Sequence, residues 1–235
     1  QAQCPDFSYL ADDLMIYFVD IDIQSLLLIN PDNPTGNYIS YVDCLRLADW
    51  CQQRNILFVL DESFIDFSIE HPTFFKDDIL EQYSNLVVIK SISKSYGVPS
   101  LRLGILATSN VDIMTVIRRS VSIWNINSFA EFFLQILGKY EASYQQAMDE
   151  FRAERARFVD ELHKIGFLRV LPSEANYLLC EVKQPHTPRE LAIRLLKDYD
   201  ILIKDCTSKC NAPYIRIAVR DTVDNNRLID ALIDL

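Results

Sequence analysis

Three short apolar runs, each followed closely by polar residues, constrain the fold of this 235-residue chain more than any other feature. They cover residues 26–29, 56–60 and 86–89. Runs of this length that are rich in Leu, Ile and Val indicate strands buried on both faces of a parallel sheet. The segment 41–54, between the first two runs, has an apolar helical face and Ser40 as its N-cap, so strand and helix alternate. The sequence therefore predicts an α/β fold with a mostly parallel sheet.

A polar motif follows each apolar run. The motifs are NPDNPTG at 30–36, DESF at 61–64 and SISKSYGVPSLRLG at 91–104. Open α/β sheets bind their ligands at the carboxyl ends of the strands. Because all three motifs belong to that edge, we expect them to form one ligand site.

Lys94, in the third motif, is the strongest candidate for covalent chemistry. A desolvated lysine close to other cations loses part of its preference for the ammonium form and can attack an aldehyde. Ser91, Ser93 and Arg102 lie near it in the sequence, and hydroxyls together with a guanidinium are suited to a phosphate dianion. The SxSK pattern alone favours an ordinary surface lysine. The two upstream motifs overturn that preference and favour a Schiff-base lysine beside a phosphate site.

Together the three motifs resemble those of the fold-type I pyridoxal-phosphate enzymes, specifically the class I/II aminotransferase family, and the resemblance extends over residues 24–235. It implies a three-layer α/β/α large domain followed by a small C-terminal α+β domain. It also implies pyridoxal 5'-phosphate as the cofactor, held by Lys94 as an internal aldimine. We place the large domain at 1–140, and the long linking helix with the small domain at 141–235.

The resemblance assigns roles to other residues of the motifs. Asp61 pairs with the pyridine nitrogen of the cofactor, whereas Glu62 points to the other side of the alternating backbone. Asn33 donates to the phenolic oxygen. Many family members place a tyrosine where this chain has Phe64, so Asn33 holds that oxygen alone. The cofactor phosphate is assigned to Ser91, Ser93 and Arg102.

The C-terminal part carries the residues assigned to the substrate. Arg216 resembles the family's clamp on the substrate carboxylate. The stretches 201–206 and 215–220 resemble the L-threonine-O-3-phosphate decarboxylases, whereas histidinol-phosphate aminotransferases usually have glycine at the position of Arg220. If Lys204 and Arg220 add positive charge near Arg216, the site suits a substrate with a carboxylate and a second anion.

Three functions remain open at this point. The one we favour is decarboxylation of a small phosphorylated amino acid. A transaminase of the histidinol-phosphate aminotransferase type uses the same electron sink and differs in which Cα bond stands perpendicular to the cofactor ring. A non-catalytic scaffold is the third, because the family's N-terminal phosphate-binding turn and ring-stacking aromatic are not found in the sequence. We therefore expect this chain to be a fragment, or an ordered subset, of a longer protein that forms a homodimer.

Beyond residue 110 the pattern changes from helical to short strands. We predict a helix over 111–119 and a long helical stretch over 129–165 with a break near 138–143. A helix over 188–199 and a last helix capped by Asp221 or Thr222 complete the helical elements. The predicted strands cover 167–170, 177–181, 201–204 and 215–219.

Composition limits the partners. The net charge of -10 argues against nucleic acid, and no apolar segment is long enough to cross a membrane. The six cysteines form no CxxC pair or His cluster, which predicts no metal site and favours a reduced, cytoplasmic chain. We therefore expect the partner to be a small-molecule substrate.

Overall fold

The computed structural model describes residues 6–70 and 72–235, and within them the strands form two four-stranded sheets. The first sheet has the order β1-β2-β3-β4. Its first three strands are parallel and the fourth is antiparallel to β3. The predicted α/β class with a mostly parallel sheet is confirmed. The strands are β1 (Ser25–Ile29), β2 (Leu57–Asp61), β3 (Leu86–Ser91) and β4 (Gly104–Ala107).

Helix α2 packs on this sheet as its sequence predicts. Ser40 caps it by accepting a hydrogen bond from the Asp43 amide, 3.1 Å away. Its buried face belongs to the same hydrophobic core as the strand residues Leu28 and Phe58. Helices α1 and α3 have no counterpart in the prediction, since neither has a side-chain N-cap and both are short. The helices of this part are α1 (Ala11–Phe18), α2 (Tyr41–Gln53), α3 (Asp77–Gln82), α4 (Ile92–Ser95) and α5 (Val111–Ser120).

A long helical stretch connects the two sheets. Helix α6 (Ser128–Leu137) and helix α7 (Glu141–Leu162) are separated by a 3-10 turn over Gly138–Tyr140, inside the segment where the sequence predicts a break. Phe151 of α7 packs on Phe67 with 4.9 Å between ring centroids. The same phenylalanine also contacts the core of the second sheet, so α7 supports both parts of the molecule. The domain boundary at residue 140 stays a prediction.

The second sheet is antiparallel throughout, in the order β5-β6-β8-β7. One of its faces forms a core with apolar residues of α7, α8 and α10. Asp221 caps α10 by accepting from the Asp224 amide. The elements are β5 (Leu168–Val170), β6 (Tyr177–Val182), α8 (Pro188–Tyr199), β7 (Lys204–Asp205), α9 (Thr207–Cys210), β8 (Tyr214–Ala218) and α10 (Thr222–Asp234).

Strand β7 differs from the predicted strand over 201–204. It covers only Lys204 and Asp205, which pair with Arg216 and Ile215. The chain leaves α8 through Asp200 in a left-handed conformation, and the Ile201 amide donates to the Leu195 carbonyl of α8. Residue 201 is therefore hydrogen-bonded to the preceding helix, and pairing with the sheet starts only at residue 204.

The loop after β1 touches the second part of the chain at Gly36. Gly36 has a φ of 79°, and its carbonyl accepts from the Glu174 amide at 2.9 Å. A Cβ at Gly36 would lie 2.0 Å from Ser173 Oγ. Both the backbone conformation and the close approach therefore require glycine here.

No helix in the described part of the chain combines the length and the apolar character that a membrane crossing requires.

We expect Gly36→Ala to destabilise the fold. The left-handed conformation costs a non-glycine residue about 1–3 kcal/mol, and Ser173 must also move away from the loop. The measurement is the free energy of unfolding in urea. Gly138→Ala is the matched control, because a Cβ at Gly138 meets no atom within 4 Å. Equal unfolding free energies for the two variants would contradict this account.

Candidate active site

The three sequence motifs meet at the carboxyl edge of the first sheet. Asp61, the last residue of β2, is in register with Ile29 of β1 and Ile89 of β3. The loop after β1 and the turn after β3 therefore flank Asp61 on its two sides. Because β4 is antiparallel, with Gly104 opposite Ser91, the segment before β4 returns to the same edge.

Asp61 has one carboxylate oxygen engaged by the protein. Its Oδ1 accepts from the Ser63 amide at 2.9 Å. Ser63 Oγ in turn accepts from the Ser91 amide at 2.9 Å, which joins the ends of β2 and β3. Within residues 6–70 and 72–235, no hydrogen-bond donor or ion-pair partner engages Asp61 Oδ2. That oxygen is available to a cationic ligand atom.

Glu62 points in the opposite direction and is buried. Its carboxylate accepts from the Phe74 amide at 2.8 Å and from the Thr73 hydroxyl at 2.6 Å. Burial raises the pKa of Glu62 to about 6, against the lowering effect of these two hydrogen bonds and of Lys90. The two neighbouring carboxylates therefore differ. Protein donors bind Glu62 inside the fold, whereas Asp61 lies at the carboxyl edge of the sheet.

Asn33 is contacted by Arg216, a residue of the second sheet. Arg216 Nη1 donates to Asn33 Oδ1 at 2.7 Å. An amide oxygen that accepts from a guanidinium leaves the amide Nδ2 free as a donor. Lys209 Nζ also donates to the Asn33 carbonyl, at 3.2 Å. Arg216 and Lys209 thus hold the two oxygens of Asn33, while its Nδ2 meets no acceptor among the described residues.

The ring of Tyr177 packs against the guanidinium of Arg216. The guanidinium carbon lies 5.0 Å from the centre of the Tyr177 ring, and the hydroxyl donates to the Asp32 carbonyl at 2.7 Å. Burial raises the pKa of Tyr177, with Asp32 and Asp61 adding to the rise and Arg216 opposing it, so the phenol stays protonated. Phe64 packs edge-on against Tyr177, with 5.3 Å between ring centroids.

Lys94 lies on the short helix α4, directly after β3, and is exposed. Ser93 beside it is buried, and its Oγ has no hydrogen-bond partner among the described residues. A buried hydroxyl without a partner is costly, and a bound phosphate would satisfy it. Arg102 uses one nitrogen on the Pro99 carbonyl, at 3.2 Å, and is otherwise exposed. These residues fit the phosphate site that the sequence predicts.

Helix α7 contacts the turn that carries Lys94. Tyr96 stacks on Tyr144 of α7, with 4.1 Å between ring centroids and an interplanar angle of 7°. The turn is therefore fixed both by β3 and by the helix that connects the two sheets.

The two additional cations predicted near Arg216 have different positions. Lys204 is paired with Arg216 across β7 and β8, so the two side chains share one face of the sheet. Arg220 forms an ion pair with Asp224, and its assignment to the substrate stays a prediction. Its Nε donates to Asp224 in the first turn of α10 at 2.8 Å.

Sequence reasoning missed Tyr177 and Lys209. Tyr177 is the first residue of β6, and its face is fixed by the register that places Leu179 opposite Arg216. Alternation along β6 could have placed Tyr177 on the Arg216 face once that register was known. Lys209 lies on the short helix α9 and has no sequence signal of its own.

Comparison with known proteins identifies the relatives of this chain. The family model "Aminotransferase class I and II" matches residues 6–232. The CMP-5'-(3-aminopropyl)phosphonate synthase of Streptomyces rubellomurinus is 30% identical over 100% of this chain and 38% of its own length. The threonine-phosphate decarboxylase of Salmonella typhimurium is 34% identical over 94% of this chain and 60% of its own length.

Two solved structures are similar over nearly the whole chain. A decarboxylase from Sulfurospirillum multivorans has a TM-score of 0.87 and 26% identity, covering 97% of this chain and 66% of that chain. The histidinol-phosphate aminotransferase from Clostridium acetobutylicum has a TM-score of 0.83 and 29% identity, covering 94% of this chain and 66% of that chain. The chain thus spans less than two thirds of the length of each of these proteins.

The raised pKa of Glu62 predicts a specific pH dependence of stability. Its pKa is about 6 in the fold against 4.5 for an unburied glutamate, so the protonated form stabilises the fold. This contribution is complete below the lower value and is lost as the pH rises through the higher one, a change of about 2 kcal/mol. Glu62→Gln cannot ionise. We therefore expect wild type to lose stability relative to this variant across that window.

The measurement is the unfolding free energy of both proteins as a function of pH. Glu81→Gln, which changes an exposed glutamate of α3, is the control for the loss of one charge. A constant difference between wild type and Glu62→Gln across the window would show that the fold does not raise the pKa of Glu62.

Proposed function

The chain belongs to the class I and II aminotransferase family, and we propose that its protein is a pyridoxal-phosphate-dependent enzyme that decarboxylates a small phosphorylated amino acid. The observation that carries this proposal is the common edge of the first sheet. Lys94 and Asp61 lie there at the ends of neighbouring strands, and Arg216 reaches the same edge through Asn33.

When bound, pyridoxal phosphate supplies an electron sink for the negative charge that develops at the substrate Cα. The residues of this chain fit it. Lys94 would hold the aldehyde, and Asp61 Oδ2 would hold the ring nitrogen in its protonated form. Asn33 Nδ2 would donate to the phenolic oxygen. The phosphate would bind the hydroxyls of Ser91 and Ser93 together with Arg102.

Lys94 has two tasks in this proposal. Its Nζ would hold the aldehyde of the bound cofactor. The same Nζ would also move a proton at the substrate Cα. Lys94 lies on a four-residue helix after β3, and the stacking of Tyr96 on α7 fixes the turn that carries this amine.

The second sheet supplies the contacts to substrate. Arg216 has guanidinium donors left after its hydrogen bond to Asn33, and these suit the α-carboxylate. Lys204, on the same face, adds a positive charge that a second anion of the substrate would bind. The similarity to the threonine-phosphate decarboxylase of Salmonella typhimurium supports an amino acid that carries a phosphate.

Amino transfer is the second candidate, favoured by the structural similarity to the histidinol-phosphate aminotransferase from Clostridium acetobutylicum. The two reactions use the same residues and differ in the Cα bond that breaks. Histidinol phosphate has no carboxylate, so the pairing of Lys204 with Arg216 favours the decarboxylase. We further propose a homodimer in the cytoplasm that acts on this small molecule.

Removal of Lys94 tests the cofactor. In the complete protein, borohydride reduction should fix pyridoxal phosphate covalently to the peptide that contains Lys94, which mass spectrometry detects. Lys94→Ala should show no such attachment, and its activity should fall by roughly 10²–10⁴-fold or more. Lys197→Ala, which changes an exposed lysine on α8, should behave as wild type. A complete protein that binds no cofactor would overturn the proposal and leave a scaffold.

Substrate turnover separates the two reactions. The complete enzyme is incubated with L-threonine O-3-phosphate and without a keto acid. Catalytic release of carbon dioxide supports decarboxylation. A single half-turnover to the amine form of the cofactor, which an added keto acid reverses, would identify a transaminase instead.

A further inference from the structure

Three cations lie together on the hairpin formed by β7, α9 and β8, which we call the 204–216 hairpin. They are Lys204, Lys209 and Arg216. Across residues 6–70 and 72–235, none of the three forms an ion pair with a carboxylate. Lys209 and Arg216 also converge on one residue, since Lys209 donates to the Asn33 carbonyl and Arg216 to Asn33 Oδ1. A group of cations that converge in this way favours an anion.

The hairpin holds Lys209 in a defined place. Two cysteines anchor helix α9 to the sheet. Cys206 is buried, and Cys210 packs against the same small apolar cluster as Leu179. Asn211, in a left-handed conformation, ends α9 and returns the chain to β8. The Lys209 side chain projects from this turn to the Asn33 carbonyl.

The thiol of Cys206 lies near the three cations of the hairpin. Burial raises the pKa of its thiol, and Arg216, Lys204 and Lys209 each oppose that rise. A single thiol at the start of α9 therefore lies within electrostatic reach of all three.

The present contact of Lys209 leaves its charge unbalanced. An ammonium has three N–H donors, and one of them meets a neutral carbonyl at 3.2 Å. An incoming anion could take up the other donors without the loss of an ion pair. Resting on the proposed function, we propose that Lys209 binds the phosphate of the substrate and thereby determines the preference for a phosphorylated amino acid.

The sheet order separates this anion site from the cofactor phosphate. Ser91, Ser93 and Arg102 follow β3, whereas Lys209 contacts Asn33 in the loop after β1. Strand β2 lies between β1 and β3, so the two loops start about 10 Å apart. Asp61, at the end of β2, lies between them. Lys209 therefore lies on the Asn33 side of Asp61, together with Arg216, the proposed clamp on the substrate carboxylate.

Lys209→Ala in the complete holoenzyme tests the proposal. The KM for L-threonine O-3-phosphate should rise about tenfold to hundredfold, the range for one charge-assisted hydrogen bond. The kcat should stay within about threefold, because Lys209 is not assigned to the proton transfer. Inorganic phosphate, used as a competitive inhibitor, should weaken by a similar factor. Binding of unphosphorylated L-threonine, followed by the absorbance of the cofactor, should not change.

Two variants control this experiment. Lys183→Ala removes the same charge from an exposed position outside the hairpin and should leave all these constants unchanged. Lys209→Arg keeps the charge and should recover most of the affinity for phosphate.

The outcomes distinguish this inference from the proposed function. In one outcome, the Lys209→Ala variant binds cofactor and turns over the phosphorylated substrate with an unchanged KM. That result would overturn the role of Lys209 and leave the enzyme assignment intact. An equal loss for L-threonine and its phosphate would also overturn it. A wild-type protein without cofactor would instead overturn the proposed function itself.

Discussion

The hydrogen bond from Arg216 to Asn33 is the contact on which the site depends. It is 2.7 Å long and joins a strand of the second sheet to the loop after the first strand of the chain. Tyr177 fixes both partners, since its ring lies under the guanidinium and its hydroxyl holds the Asp32 carbonyl. The loop that carries Asn33, which we propose as a cofactor contact, therefore also fixes Arg216, which we propose as a substrate contact. Gly36 closes this loop, so we expect a substitution there to displace both Asn33 and Arg216.

The sequence predicts the first sheet well because its signals are local. Apolar runs define the strands, and the capping serine at position 40 defines the start of α2. The motifs at the strand ends follow from parallel pairing alone. Lys209 and Arg220 could not be placed in this way. The position of Lys209 depends on the turn that α9 forms after β7, and that of Arg220 depends on its ion pair with Asp224.

The two neighbouring carboxylates of the DESF motif have different environments at the end of β2. Asp61 and Glu62 have the same charge and differ by one step along the backbone. Glu62 is turned inward to Thr73 and Phe74, where burial raises its pKa. Asp61 keeps one oxygen for a ligand. Sequence alternation separates the two directions, but only the surrounding fold determines which carboxylate is satisfied by protein donors.

Under the proposed roles, one scaffold can support two reactions. If the amino group is fixed by the cofactor, the carboxylate by Arg216 and the phosphate by Lys209, three points on the substrate are held. Rotation about the bond from nitrogen to Cα is then set by the hairpin, because Arg216 and Lys209 both belong to it. The bond left perpendicular to the ring is the one that breaks. Under the proposed roles, the position of the 204–216 hairpin relative to Asn33 would select the reaction, whereas Lys94 and Asp61 would serve either one.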